Sequence, residues 1–256
     1  MAFITFQNVG FRYGEREGAG NSILHDLNLE IPRGTFYVLL GPSGCGKTTA
    51  LNLLAGFEQP RSGAVLVEEK PVDQPGMDRV VIFQGDDSLY PWLTALENVE
   101  FPLRMTGRGA NERRKRAETW LARVGLANHA AKFPHQLSGG MKQRVAIARV
   151  LANDAEMVLM DEPFGALDAM TRERLQDELL DIWQRTKLTV LFVTHSIEEA
   201  IFLADRVVVM EPGPGRIASE HRIELPRPRD VSSPEFNAVR RELSARLHSH
   251  HGKKAA

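Results

Sequence analysis

Phe36-Tyr-Val-Leu-Leu40, followed at once by Gly41-Pro-Ser-Gly-Cys-Gly-Lys-Thr48, decides the fold of this 256-residue chain. A short unbroken apolar run that ends at glycine predicts a strand covered on both faces. The next eight residues satisfy the pattern G-x-x-x-x-G-K-S/T, and Thr48–Ala55 predicts a helix directly behind them. Glycines let such a loop curl until its backbone N–H groups face one centre, and the helix N-terminus adds about half a positive charge there. Phosphate is the ligand that suits this geometry. Lys47 is spaced to reach β- and γ-phosphates, and the Thr48 hydroxyl to ligate Mg²⁺. The pattern alone can arise by chance; the strand–loop–helix context is what argues against coincidence.

Outward from the loop, Val80–Phe83, Met157–Met160, Thr189–Thr194 and Arg206–Met210 are further apolar runs bounded by turn residues. Because they do not alternate, they predict a largely parallel sheet buried on both faces. Leu27, Leu29 and Ile31 do alternate with polar residues, as in a half-exposed antiparallel strand, and Pro32-Arg33-Gly34 ends it. Residues from about 91 to 152, including Asn111–Val124, read as helical and are expected to form a subdomain inserted into the sheet. Beyond Pro212 the chain turns to Pro-Gly-Pro-Gly, then Leu225-Pro-Arg-Pro-Arg229, a helix-like stretch, and a polar tail at His248–Ala256. The tail is expected to be flexible. No internal repeat is visible.

Two more segments carry chemistry. Met157-Val-Leu-Met-Asp-Glu162 is an apolar strand ending in two carboxylates, which suits Asp161 to holding Mg²⁺ and Glu162 to orienting or deprotonating a water. Its plainer alternative is a polar strand end before Pro163. Leu137-Ser-Gly-Gly-Met141 precedes a helix predicted over Lys142–Leu151, so Ser138, Gly139 and Gly140 form a second anion site. One chain does not need two cradles for one γ-phosphate. Two copies packed head to tail would, each closing over the other's nucleotide.

Composition narrows the class. The net charge is −1, from 32 basic and 33 acidic residues, which gives no reason to expect nucleic acid. Cys45 is the sole cysteine, so no intrachain disulfide can form, and a reducing compartment fits. The first residues lack the basic-then-apolar pattern of a signal peptide. No apolar run approaches the ~20 residues of a membrane-spanning helix.

These elements together resemble the ABC transporter ATPase family, from about Phe3 to Arg229, and in that family's order: Tyr13, the phosphate loop, Gln84, the Leu137–Met141 signature, Asp161-Glu162, Ala166-Leu-Asp168 and His195. The resemblance implies an α/β P-loop NTPase fold, a mostly parallel sheet core with an antiparallel β subdomain and an inserted helical subdomain. It implies an ATPase domain over residues 1–230 and a C-terminal helix and tail over 231–256. It implies ATP and Mg²⁺ as cofactors, with Gly41, Pro42, Ser43, Gly44, Cys45, Gly46, Lys47, Thr48 and Thr49 around the phosphates. Tyr13 would stack on adenine, its alternative being an exposed aromatic in a turn. Gln84 would complete the Mg²⁺ and water shell, Asp168 would bridge two subunits, and His195 would contact the γ-phosphate. The aspartate usual after that histidine is Ser196 here, which leaves any role of that carboxylate open. Cys45 is expected to react with thiol reagents, blocking hydrolysis, with ATP protecting it.

Within that family, fewer than a hundred residues separate Lys47 from Ser138, too few for an inserted coiled coil, and a single motif set excludes the two-domain translation factors. No Asn-Lys-x-Asp guanine-reading motif is present. Leu89–Val99, Asp161–Asp168 and Met210–Arg216 resemble the nitrate/sulfonate/taurine importer group, although Leu89-Tyr-Pro-Trp92 stands where Leu-Leu-Pro-Trp is common. The resemblance implies a peripheral subunit on the cytoplasmic face of the inner membrane. Its partners would be permease subunits contacted through Gln84–Leu93, a second ATPase subunit forming a homodimer, and a solute-binding protein. Aromatic carboxylates, thiamine-precursor pyrimidines and a non-transport role stay open. Tyr90, Pro91, Trp92 and Leu93 form either a permease-facing patch or subdomain core.

Overall fold

The computed structural model describes residues 2–14, 22–82, 89–153, 155–165 and 167–248. The N-terminal segment builds β1 (Ala2–Arg12), β2 (Ser22–Pro32), β3 (Phe36–Leu40), helix α1 (Lys47–Ala55), β4 (Ser62–Val67) and β5 (Lys70–Pro71). β2, β1, β4 and β5 form an antiparallel sheet in that order, with Phe6 opposite both Leu29 and Val65. Leu27, Leu29 and Ile31 are buried and the residues between them exposed, so the alternation in β2 reports one covered face.

The middle segment begins with β6 (Arg79–Ile82) and continues through helices α2 (Ala95–Leu103), α3 (Ala110–Arg123) and α4 (Gly139–Ala152) to β7 (Met157–Asp161) and α5 (Ala169–Thr186). The chain then returns with β8 (Thr189–Thr194), α6 (Ile197–Leu203), β9 (Arg206–Glu211), β10 (Arg216–Arg222) and α7 (Pro234–His248). Residues 1–76 and 187–256 make up one unit, and residues 77–186 a second.

In the first unit β3 lies between β8 and β9, parallel to both, with Val38 opposite Phe192 on one side and Val207 on the other. β10 pairs antiparallel on the outer edge of β9. Every residue of β3 and β8 is buried, which is why their sequences run apolar without alternation. In the second unit β6 and β7 pair in parallel, Val80 opposite Val158. Leu96, Val99 and Leu103 of α2, Leu121 of α3 and Val145 of α4 share one apolar core. Thr94 starts α2 with a reciprocal cap: its hydroxyl accepts from Glu97 N–H (3.2 Å), and the Glu97 carboxylate accepts from Thr94 N–H (2.8 Å). α4 starts at Gly139, three residues earlier than the sequence predicts, because the Ser138 hydroxyl caps it, accepting from Met141 N–H (3.3 Å). Among the described residues no helix is long and apolar enough to cross a membrane.

Candidate nucleotide site

In the first unit the phosphate loop runs from the end of β3 into α1. Gly46 occupies the cap position with φ 93°, a left-handed backbone that favours glycine, and contributes no side-chain acceptor to the first turn of α1. That turn therefore has no side-chain cap, as suits a site for an anion. Gly41 is required for space: a Cβ there would stand 2.7 Å from the Met210 carbonyl oxygen and 2.8 Å from Cys45 Sγ. Lys47 is buried, and its Nζ donates to the carbonyls of Gly41 (2.8 Å) and Pro42 (3.0 Å). A nucleotide phosphate would have to displace these two carbonyls, a favourable exchange because oxygen that carries formal charge is the stronger acceptor. Ser43, Gly44 and Thr48 are exposed at the mouth of the loop, while Thr49 is buried.

Cys45 is less open than its expected reactivity supposes. Its thiol is fully buried, and burial raises its pKa against the opposing effect of Lys47, so direct attack by a thiol reagent on the folded loop is disfavoured.

His195 meets the loop through strand register. Leu40 is paired with Thr194, so the residues that follow, Gly41 and His195, leave neighbouring parallel strands at the same end, and Gly41 N–H donates to the Thr194 carbonyl (3.4 Å). His195 is exposed there, next to buried Thr194. Ser196 takes over the capping duty its position demands, its hydroxyl accepting from Glu199 N–H (3.3 Å) at the start of α6. Tyr13 projects just beyond β1, 52% exposed and edge-on to Phe11 with ring centroids 4.9 Å apart, available for stacking.

The second unit carries the acidic and signature residues. Asp161 closes β7, half-buried, and Glu162 follows with φ 44°. A left-handed backbone costs a non-glycine residue about 1–2 kcal/mol, and such strain concentrates at functional sites. Ser138 is exposed at the N-terminus of α4. Gly140 is buried, and a Cβ on it would lie 2.9 Å from Leu175 Cδ2 of α5, so its missing side chain serves helix packing as well as access to the backbone. Asp168 caps α5: its carboxylate accepts from Thr171 N–H (3.0 Å), which, with the Thr171 hydroxyl, holds its pKa below the ordinary carboxylate range. Gln84 lies outside the described residues, as do Phe83 and Ala166.

One arrangement escaped the sequence. Asn98, on the buried face of α2, donates its amide to the carbonyls of Tyr90 (3.1 Å), Leu93 (3.0 Å) and Thr94 (3.0 Å), and its oxygen accepts from Tyr90 N–H (2.8 Å). The loop so pinned presents Trp92, which is 69% exposed, while Leu93 is half-buried. The core alternative therefore does not hold for Trp92. A buried asparagine at a helical spacing was the only available signal.

The sequence profile of the ABC transporter family matches residues 24–165. A taurine import ATP-binding protein of Chromobacterium violaceum is 49% identical over 253 residues, covering 96% of this chain and 95% of that protein. Among solved structures, cbiO1 from Clostridium perfringens, part of the ABC transporter complex cbiONQ, superposes with a TM-score of 0.78 at 28% identity, covering 87% of this chain and 89% of that one. The dimeric ATP-binding cassette MJ0796 in a post-hydrolysis state bound to ADP and Pi gives 0.70 at 35% identity, covering 87% of this chain and 99% of that one.

Proposed function

Since the chain belongs to the ABC transporter family, we propose that it is the ATP-hydrolysing subunit of a bacterial importer for a small sulfonate-like or zwitterionic solute. The observation that carries the activity is the Gly41–Thr48 loop, set between a buried strand and an uncapped helix N-terminus with His195 leaving the adjacent strand. The importer class and the solute rest on the extent of identity to a taurine import protein.

Lys47 and the first turn of α1 bind the β- and γ-phosphates. His195 approaches the γ-phosphate from the end of β8, and Glu162 takes the proton of the attacking water. The Thr48 hydroxyl and the Asp161 carboxylate are hard oxygen donors of the kind Mg²⁺ takes and would hold it, with Gln84 as a further ligand. Bound there, the ion would neutralise phosphate charge. Ser138, Gly139 and Gly140 would complete the nucleotide site of a second copy, and Asp168 would bridge the two, so the working form is a homodimer. The chain sits on the cytoplasmic face of the membrane through permease subunits that receive the Gln84–Leu93 segment, and a solute-binding protein delivers the cargo. Nucleotide-driven closing and hydrolysis-driven opening of the dimer then shift the permease between states.

The test is the purified chain with Glu162→Gln. Hydrolysis is expected to fall at least about 10²-fold while ATP binding stays within error of wild type. Unchanged turnover would remove Glu162 from the mechanism. A ligand screen on the solute-binding protein of the same system identifies the cargo.

A further inference from the structure

Three hydrogen bonds close a ring around the backbone of His195. The Thr194 hydroxyl donates to the Glu199 carboxylate (2.5 Å), Glu199 N–H donates to the Ser196 hydroxyl (3.3 Å), and Ser196 N–H donates to the Thr194 hydroxyl (3.0 Å). Thr194 and Glu199 are buried, at 2% and 7% exposure, while His195 between them stands out into solvent. The threonine hydroxyl is used in both of its senses, as donor and acceptor, so neither a smaller apolar nor a larger polar residue reproduces it. The Thr194 carbonyl accepts from Gly41 N–H at 3.4 Å, so the same residue touches the phosphate loop.

We propose that Thr194 and Glu199 are positioning residues for the hydrolysis reaction, holding the peptide on both sides of His195 so that the imidazole is presented at the γ-phosphate without searching. The helix that carries Glu199 is anchored at its other end as well: the buried Arg229 guanidinium donates to the carbonyls of Ile201, Phe202 and Ala204, the acceptors left over where α6 stops. Glu199 is thus a fixed post, and the ring transmits that fixity to His195. In a phosphoryl transfer, where the protein mainly positions charge, a displacement of about an ångström in such a group costs up to about 10²-fold in rate.

The inference rests on His195 acting at the γ-phosphate, so the test is a double-mutant cycle on the full-length chain. Thr194→Val is expected to lower kcat about tenfold with the apparent KM for ATP close to wild type, measured well below the melting transition of either protein. Thr194→Ser, which keeps the hydroxyl, is expected to restore turnover. Combined with His195→Ala, the valine substitution is expected to add nothing to the loss from His195→Ala alone. If Thr194→Val folds poorly, Glu199→Ala opens the ring from the other side and is expected to give the same kcat loss, whereas Glu199→Gln, which keeps an acceptor, is expected to give none. Wild-type turnover in the ring-opening variant overturns the proposal. So does a loss that tracks the melting temperature, or one that persists in full when His195 is absent. A fast His195→Ala enzyme would overturn the role of His195 itself; a slow one beside a fast ring-opening variant would overturn the ring alone.

Discussion

Cys45 lies within the phosphate loop with its thiol shielded from solvent, and burial raises its pKa. A raised pKa leaves less thiolate near neutral pH, and thiolate is the species that reacts. Iodoacetamide is therefore expected to label the native chain at least about tenfold more slowly than the denatured chain, with the rate still climbing at pH values where a free thiol has levelled off. Mass spectrometry of timed samples measures this, and rapid native labelling would mean that the loop opens. Single residues differ in how far sequence reveals them. Lys47, Thr48 and Ser138 are legible because backbone spacing alone assigns them to a helix start. The burial of Cys45 is not legible in the sequence, because distant positions meet at the back of the loop: Met210 lies against Gly41, Leu24 against Gly46 and Gly215 against the Cys45 backbone.

Between residues and the whole lie the elements, and here the Tyr90–Leu93 loop and α2 are informative together. Asn98 is fully buried and makes four hydrogen bonds to that loop and to Thr94. Asn98→Ala would take the side-chain partner from the part-buried Tyr90 N–H and Leu93 carbonyl, each worth about 1–3 kcal/mol, while the Tyr90 and Thr94 carbonyls keep the Leu93 and Asn98 N–H groups as donors. Denaturant unfolding is expected to show a loss of at least about that size, with Asn98→Asp intermediate because it keeps the acceptor. An unchanged midpoint would show that the loop is held by other means. Strands and helices were largely legible: β3 and β8 match the apolar runs residue for residue, and β9 and α1 differ by one residue at an end. The start of α4 was read too late because two glycines suppress helix propensity, and the Ser138 cap that overrides them counts only once the helix has packed. What sequence could not supply was the far side of each hydrogen bond. Asn98 and Thr194 look ordinary until their partners arrive.

For the whole molecule the question is how hydrolysis becomes transport. Tyr90 is braced by Phe101, with ring centroids 4.7 Å apart, and by the Arg149 guanidinium 5.6 Å above its ring, while Trp92 beside it faces solvent. Exposed tryptophan on a braced loop is the form of an interface anchor. Trp92→Glu is expected to abolish solute uptake by the assembled transporter, measured in proteoliposomes, while the isolated chain keeps its basal ATPase rate and melting temperature. Full uptake by that variant would exclude Trp92 from the permease contact.

The chain's path has a further consequence, for biosynthesis. β3, which delivers the phosphate loop, lies between β8 and β9, and both are made long after it. In the second unit, by contrast, β6 and β7 and the core shared by α2, α3 and α4 come from one stretch that ends by residue 186. On a ribosome, which releases residues from the N-terminus onward, the phosphate loop emerges early but its strand gains its last neighbour only when β9 appears. Until then Phe36–Leu40 is an apolar strand with at least one open edge, the kind of segment that chaperones bind. Slow translation between residues 186 and 211 would prolong its exposure, and the yield of active protein is expected to fall with it.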